Sequence, residues 1–205
     1  MSLRRSPLRF LLFAALAVVV FLAARSAFST ESAGGVRAAV RDYLAIQRVE
    51  QHADVLKLAS EESGVDAYLL AAIMVAESSG KVGAKSNRGA LGLFQLMPVT
   101  ANWRADILGL PQPTEEELLS DAELNARLGA NNFAWLLDTY DGNVRRSLVA
   151  YNLGTRKLAN YCREAGGWDA WVAEREAAGD SQLLAYADKV MRYRNGFRER
   201  GLLDD

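Results

Sequence analysis

Residues 71–80 read AAIMVAESSG, an apolar run that ends in a carboxylate. No residue from 68 to 76 carries a charge, and an uninterrupted apolar stretch of this length predicts a buried helix. Glu77 then stands where the apolar surface of that helix would continue. Because an ionised carboxylate is costly to bury without a partner, Glu77 is either a helix-end residue turned toward water or a residue with a chemical role.

The composition restricts the chemistry that is open to the chain. It contains one histidine, His52, and one cysteine, Cys162. This inventory excludes most zinc sites, Ser-His-Asp triads and disulfide frameworks, so catalysis has to use carboxylates, and we expect no metal and no cofactor. We interpret His52 as a solvated surface residue and Cys162 as a buried free thiol. The net charge of -1 argues against nucleic-acid binding.

The N-terminal residues have the pattern of an export signal. Arginines at positions 4, 5 and 9 precede an uncharged stretch over residues 10–24. That stretch is intermediate in length between a signal-peptide core and a spanning helix of about 20 residues, so a cleaved signal over residues 1–25 and an uncleaved membrane anchor both remain open. In either case the arginine bias places the remaining chain outside the cytoplasm.

The rest of the chain is predicted to be all-α. A Ser/Gly-bearing linker over residues 29–35 and a short helix over residues 36–43 belong to a connecting segment, residues 26–44, and one helical domain follows over residues 45–200. No segment alternates with a period of two, and apolar residues recur at helical spacing. Gly64 predicts a helix stop, Asp66 and Asn143 predict N-caps, and residues 120–123 predict a capping box.

The glycine-rich stretch after Glu77 allows a ligand to approach this carboxylate. Residues 77–100 read ESSGKVGAKSNRGALGLFQLMPVT, and glycines at this density form tight turns or admit close contacts. Three motifs occur in order: Glu77-Ser78, GLFQLMP at residues 92–98 preceded by Ser86, and AYNLG at residues 150–154. With Asn125 and Gly129 between them, they resemble the catalytic domain of Slt-type lytic transglycosylases, lysozyme-like enzymes that cleave bacterial peptidoglycan.

The resemblance covers roughly residues 46–194 and implies a lysozyme-like helical fold with one catalytic residue, Glu77. In the implied mechanism Glu77 protonates the glycosidic oxygen between N-acetylmuramic acid and N-acetylglucosamine. The same carboxylate then removes the proton of the muramic primary hydroxyl, and a 1,6-anhydromuramic end results. Apolar surroundings and a helix C-terminus would both raise the pKa of Glu77 and keep its proton available.

The resemblance also implies substrate-binding roles, each with a structural alternative. Ser78 orients Glu77 or contacts the sugar, or else caps the following turn. Gln95 binds polar groups of the substrate, or else holds the local backbone. Tyr151 lies beside Glu77, or else is a buried structural tyrosine. The full set of implied binding residues is Ser78, Ser86, Gln95, Tyr151, Asn152 and Tyr186, of which Tyr186 has core packing as its competing interpretation.

Two other function classes remain open on the sequence. A goose-type-lysozyme-like muramidase would use a similar lone glutamate to hydrolyse the same bond with water. An inactive glycan-binding module of an envelope protein complex would need the export signal but not an intact Glu77, Gln95 and Tyr151. The expected partner in every case is the glycan strand of peptidoglycan, with the membrane added if the N-terminal segment is not cleaved.

Overall fold

The computed structural model describes residues 30–179 and 182–204. Contacts divide the chain into two units, Met1–Leu44 and Ala45–Asp205. Within the described residues there are ten α-helices and no strand, which confirms the prediction of a helical fold. They are α1 (Thr30–Gln51), α2 (Ala53–Ser63), α3 (Ala67–Ser78), α4 (Pro98–Leu108), α5 (Glu115–Ser120), α6 (Ala122–Thr139), α7 (Val144–Leu153), α8 (Thr155–Ala165), α9 (Trp168–Ala177) and α10 (Gln182–Glu199).

Helix α3 lies at the centre of the second unit. Its residues 70–74 are fully buried, and the helix packs against α2 and α10. A helix that is apolar on every side has no face to leave in water, so it becomes the core around which amphipathic helices assemble. Helix α2 in turn packs on α6, and α10 packs on α7. The stretch AAIMVAESSG therefore supplies both the middle of the core and the carboxylate that ends it.

The end of α2 and the start of α3 lie where the sequence predicted them. Gly64 ends α2 in the left-handed conformation, and the side chain of Asp66 accepts a hydrogen bond from the backbone N–H of Tyr68. Asp66 also forms ion pairs with Arg194 and Arg198 of α10, at 2.8 and 2.9 Å. The start of α3 is thus tied to the last helix as well as capped. Asn143 caps α7 through Arg146 N–H, as predicted.

The predicted capping box at residues 120–123 is wrong. A short helix that the sequence did not reveal, α5, ends at Ser120, so Asp121 alone caps α6 by accepting a hydrogen bond from Leu124 N–H. The capping box belongs to α5, where Thr114 and Glu117 satisfy each other's backbone N–H groups. Because two helices follow each other closely here, the pattern for the second N-terminus was displaced by one residue.

The prediction for His52 is also wrong. His52 is 6 % exposed, and its Nε2 lies 3.1 Å from the carbonyl oxygen of Gly80. The spacing of apolar residues over 46–59 predicted one continuous helix, but α1 ends at Gln51 and α2 begins at Ala53. His52 adjoins exposed polar residues such as Glu50, but it lies three positions after Val49 and four before Leu56, both fully buried, so at helical spacing it shares their face. The histidine joins the break to the loop that follows Glu77.

The N-terminal predictions meet the structure only in part. Helix α1 begins at Thr30, so residues 30–35 are helical where a linker was predicted, and the helix runs past residue 43 to Gln51. The apolar stretch at residues 10–24 lies outside the described residues. In the described parts of the chain, none of the helices combines the length and the apolar character that crossing a bilayer requires. Cys162 is a buried free thiol, as predicted.

Candidate active site

Glu77 lies at the C-terminal end of α3, where the core meets a glycine-rich loop. The helix ends at Ser78, and Ser79 takes the left-handed conformation with φ 54°. Glu77 is partly buried, whereas the six residues from 70 to 75 are at most 5 % exposed. Burial is the largest influence on its carboxyl group and raises the pKa of Glu77 above its ordinary value. A raised pKa keeps the group protonated closer to neutral pH, as a proton donor requires.

Tyr186 of α10 contacts Glu77 directly. Its hydroxyl donates a hydrogen bond to Glu77 Oε1 at 2.5 Å, across 109 positions of sequence. Core packing was the competing interpretation of Tyr186, and this contact brings the phenol to the carboxylate instead. Burial first, and then the charge of Glu77, raise the pKa of Tyr186 well above its ordinary value, so the phenol remains a donor. The bond favours the ionised carboxylate and partly offsets the effect of burial on Glu77.

Tyr151 of α7 is close enough to the same cluster for the charge of Glu77 to act on it. Burial and the charge of Glu77 raise its pKa well above the ordinary value, and Tyr151 in turn acts on Tyr186. Its hydroxyl donates to the carbonyl oxygen of Phe94 at 2.7 Å. The phenol of Tyr151 therefore connects the surroundings of Glu77 to the GLFQLMP segment, and its oxygen keeps a lone pair for a second partner.

Lys189 is a residue of this site that sequence reasoning missed. Its Nζ donates a hydrogen bond to the carbonyl oxygen of Ala76 at 3.0 Å, and its charge lowers the pKa of Glu77. A signal for it was present, because residues three apart on a helix share a face and Lys189 follows Tyr186 by three positions. Among the described residues, none of the side chains that act on Glu77 through charge or a hydrogen bond is a second carboxylate.

The GLFQLMP segment is held in place by Asn125 of α6. Asn125 is completely buried; it accepts a hydrogen bond from Phe94 N–H and donates to the carbonyl oxygens of Leu91 and Leu118. A Cβ on Gly129 would lie 2.4 Å from the ring of Phe94, so only glycine lets α6 approach this closely. Asn125 and Gly129, the two residues of the resemblance that lie between the second and third motifs, thus fix the position of the GLFQLMP segment.

Gln95 has an uncommon backbone conformation, with φ 48°. Its Nε2 donates to the carbonyl oxygens of Ala84 and Gly92, at 3.1 and 2.9 Å. Both amide hydrogens are therefore used within the loop, as the backbone-holding alternative predicts, and Oε1 is the atom left to accept a hydrogen bond from a ligand. A non-glycine residue with positive φ is uncommon and costs energy, which the surrounding contacts have to offset.

The remaining predicted residues differ in how open they are. Ser78 is buried; its hydroxyl donates to the carbonyl of Met74 and accepts from Gly80 N–H, so the observed contacts are those of the turn-capping alternative. The Ser86 hydroxyl accepts a hydrogen bond from Ala90 N–H and closes the next turn. Asn152 is exposed beside Tyr151. Within the described residues no group of three or more His, Cys, Asp and Glu side chains could hold a metal ion.

Replacement of Tyr186 by phenylalanine is expected to raise the pKa of Glu77. The substitution removes the O–H···O bond that favours the ionised carboxylate and leaves the burial of the carboxyl group nearly unchanged. The measurement is a titration of the Glu77 side-chain carboxyl by NMR in both proteins. Tyr161→Phe is the matched control, because Tyr161 is a partly exposed tyrosine of α8 that does not contact Glu77. A Glu77 midpoint that stays at the wild-type pH in Tyr186→Phe would show that this hydrogen bond is absent in solution.

Comparison with known proteins assigns a family to the part of the chain that contains Glu77. The family model of the Transglycosylase SLT domain matches residues 54–173, which include α3, the GLFQLMP segment and Tyr151. Tyr186 and Lys189 lie beyond the match. The matched region therefore supplies Glu77, the GLFQLMP segment and Tyr151, whereas α10 lies outside it.

Curated relatives share the matched region at low identity. The soluble lytic murein transglycosylase of Escherichia coli K12 is 29 % identical over 122 residues, which are 60 % of this chain and 19 % of that protein. The membrane-bound lytic murein transglycosylase C of Edwardsiella ictaluri is 30 % identical over 142 residues, 65 % of this chain and 40 % of the relative. The chain thus spans about a fifth to two fifths of the length of these proteins.

Solved structures share the fold. The lytic transglycosylase Slt of Pseudomonas aeruginosa, solved as an inactive mutant, aligns with a TM-score of 0.64 and 24 % identity over 75 % of this chain and 25 % of that one. The 70 kDa soluble lytic transglycosylase of Escherichia coli aligns with a TM-score of 0.62 and 26 % identity over 72 % of this chain and 24 % of that one. Since the family model covers more than half of its length, the chain belongs to the Transglycosylase SLT domain family.

Proposed function

We propose that this chain is a lytic transglycosylase that cleaves the β-1,4 bond between N-acetylmuramic acid and N-acetylglucosamine in peptidoglycan. The observation that carries the proposal is a single glutamate, Glu77, whose pKa is raised by burial and whose hydrogen-bond partner is a neutral phenol. Membership of the SLT family and the names of the curated relatives support peptidoglycan as the substrate.

In the first step, Glu77 acts as a general acid. Tyr186 donates to Oε1, which leaves Oε2 to carry the proton toward the glycosidic oxygen. As that proton is transferred, the bond between the muramic C1 and the oxygen breaks, and positive charge develops on the sugar ring. The N-acetylglucosamine part leaves with its new hydroxyl group, and Glu77 becomes a carboxylate next to an oxocarbenium-like centre.

In the second step, the same carboxylate acts as a general base. It accepts the proton of the muramic C6 hydroxyl while O6 forms a bond to C1, which closes the 1,6-anhydro ring. The proton that Glu77 lost is replaced, so the enzyme returns to its starting state without consuming water. Glycosidases with two catalytic carboxylates use the second one as nucleophile or base. An internal hydroxyl makes a second carboxylate unnecessary, which agrees with the contacts observed around Glu77.

We assign contacts with the sugars to polar atoms that still have hydrogen-bonding capacity after their contacts within the protein are formed. Gln95 Oε1 is suited to accept a hydrogen bond from an acetamido N–H, because both hydrogens of its amide are already bonded to backbone carbonyls. The exposed amide of Asn152 and the phenol oxygen of Tyr151 complete this wall. Ser78 and Ser86 hold the turns of the loop through their hydroxyl groups, and in this proposal they act on glycan binding through the loop that they shape.

The proposal is tested by the products that the purified protein releases from isolated peptidoglycan. We expect muropeptides with 1,6-anhydromuramic ends, which mass spectrometry identifies because each is lighter by one water than the hydrolysed counterpart. A muramidase like goose-type lysozyme would release reducing ends, and a glycan-binding module without activity would release nothing. Either of these two results would refute a transglycosylase reaction at Glu77.

We also propose that the protein is exported to the bacterial envelope, with residues 1–25 as signal or anchor. The support is the basic and then apolar sequence of this segment and the location of the proposed substrate in the cell wall. N-terminal sequencing of the protein recovered from the envelope distinguishes cleavage from retention, and recovery of the protein in the cytoplasm alone would contradict export.

A further inference from the structure

The C-terminal end of α3 is capped by a cation from a distant part of the sequence. The last four carbonyl groups of a helix have no partner within it. Here Val75 O accepts from Ser79 N–H and Ser78 O accepts from Lys81 N–H. Ala76 O accepts from Lys189 Nζ, which comes from α10 and lies 113 positions further along the chain. An ammonium group thus binds the carbonyl of the residue immediately before Glu77.

The bond from Lys189 to Ala76 O offsets part of the free-energy cost of a carboxylate at Glu77. The C-terminus of a helix carries a partial negative charge, so an anion there is disfavoured by the helix as well as by burial. A cation at the same helix end is favourable and offsets part of that cost. The described groups whose charge or hydrogen bonds act on Glu77, or on which Glu77 acts, are Tyr186 and Lys189 from α10 and Tyr151 from α7. Lys189 is the cation among these three.

We infer that Lys189 is a positioning residue for Glu77, which stabilises the carboxylate form that the reaction must create and then use as a base. The inference rests on the proposed acid-base role of Glu77. In that reaction the glutamate has to release its proton at the transition state, and burial without a counter-charge would hold the proton too firmly. Lys189 acts through the end of α3 and through space, and needs no contact with the substrate.

The direct test is the titration of the Glu77 carboxyl in Lys189 variants, followed by NMR in the intact protein. Lys189→Met and Lys189→Gln should both move the midpoint to higher pH than in the wild type, because the opposite charge is lost. Lys189→Gln retains a hydrogen-bond donor, so its shift reports the charge, and it serves alone if Lys189→Met does not fold. Lys189→Arg should keep the wild-type midpoint. The matched control is Arg192→Met, which removes one positive charge from the exposed face of the same helix.

The effects of Lys189 substitutions on kcat and KM distinguish a positioning role of this residue from a role in substrate binding. We expect the neutral variants to lower kcat for peptidoglycan cleavage by roughly tenfold while KM stays at the wild-type value, because an interaction specific to the transition state is lost. A Glu77 midpoint that is the same in wild type, Lys189→Gln and Lys189→Met would overturn the inference. The titration does not depend on turnover, so it remains decisive for Lys189 even if the released products contradict the transglycosylase reaction.

Discussion

Glu77→Gln is expected to abolish cleavage of peptidoglycan, with kcat lower than in the wild type by roughly a thousandfold or more. A general acid or base alone contributes about 10²- to 10⁴-fold, and here one carboxyl group performs both transfers. The glutamine keeps the shape of the side chain and can still accept the hydrogen bond of Tyr186, so the fold around α3 should be unchanged. The measurement is the rate of soluble muropeptide release by both proteins under the same conditions.

Glu61→Gln is the matched control for this loss. Glu61 lies on α2, is exposed, and makes no described contact with the cluster around Glu77. We expect its activity to match the wild type, and the thermal unfolding of both variants to remain close to that of the parent protein. Release of muropeptides by Glu77→Gln at even a tenth of the wild-type rate would mean that another group supplies the proton.

Gly92→Ala is expected to destabilise the protein by about 3 to 5 kcal/mol, the largest effect on stability among the changes considered. Gly92 begins the GLFQLMP segment with φ 76°, and a Cβ there would lie 2.1 Å from Asn125 Nδ2 and 2.3 Å from the carbonyl oxygen of Leu118. The alanine would displace the side chain of Asn125 and leave buried polar groups without their partners. Urea unfolding followed by circular dichroism measures the difference in free energy of unfolding.

Gly89→Ala distinguishes this clash from simple backbone strain. Gly89 lies in the same loop with φ 82°, but a Cβ built on it meets no atom within 4 Å. We expect it to cost about 1 kcal/mol, the usual effect of placing alanine at positive φ. Equal stabilities of the Gly92 and Gly89 variants would indicate that Asn125 does not hold the segment in solution as described.

The sequence predicted correctly those features that depend on residues within one helix or next to it. The uncharged run before Glu77 predicted a buried helix, the helix predicted an uncommon environment for its last carboxylate, and the pKa of Glu77 is raised by burial as expected. Asp66 marked the start of that helix correctly and Gly64 the end of the helix before it, because caps and stops depend on residues within one turn. Local rules were sufficient for these features.

Features that depend on packing between distant segments could not be predicted in the same way. The bond from Tyr186 to Glu77 and the bond from Lys189 to Ala76 each join α10 to α3 across more than 100 positions. The resemblance pointed to Tyr186 and helical spacing to Lys189, but neither gave the atoms that these side chains contact. His52 was misplaced because its polar neighbours in the sequence, such as Glu50 and Asp54, indicated a solvated face, although it lies at helical spacing from the buried Val49 and Leu56. For the two bonds between α10 and α3, the missing information was which surfaces of the two helices face each other.

In the proposed reaction, Glu77 closes the muramic sugar on its own hydroxyl and uses no water. Digestion of peptidoglycan by the wild-type protein in water enriched in oxygen-18 tests this claim most directly, with hen egg-white lysozyme as a hydrolysing control. We expect muramic ends that carry no oxygen-18 and are lighter by one water than those of the control. Muramic ends that carry the label at the newly formed reducing position would contradict it.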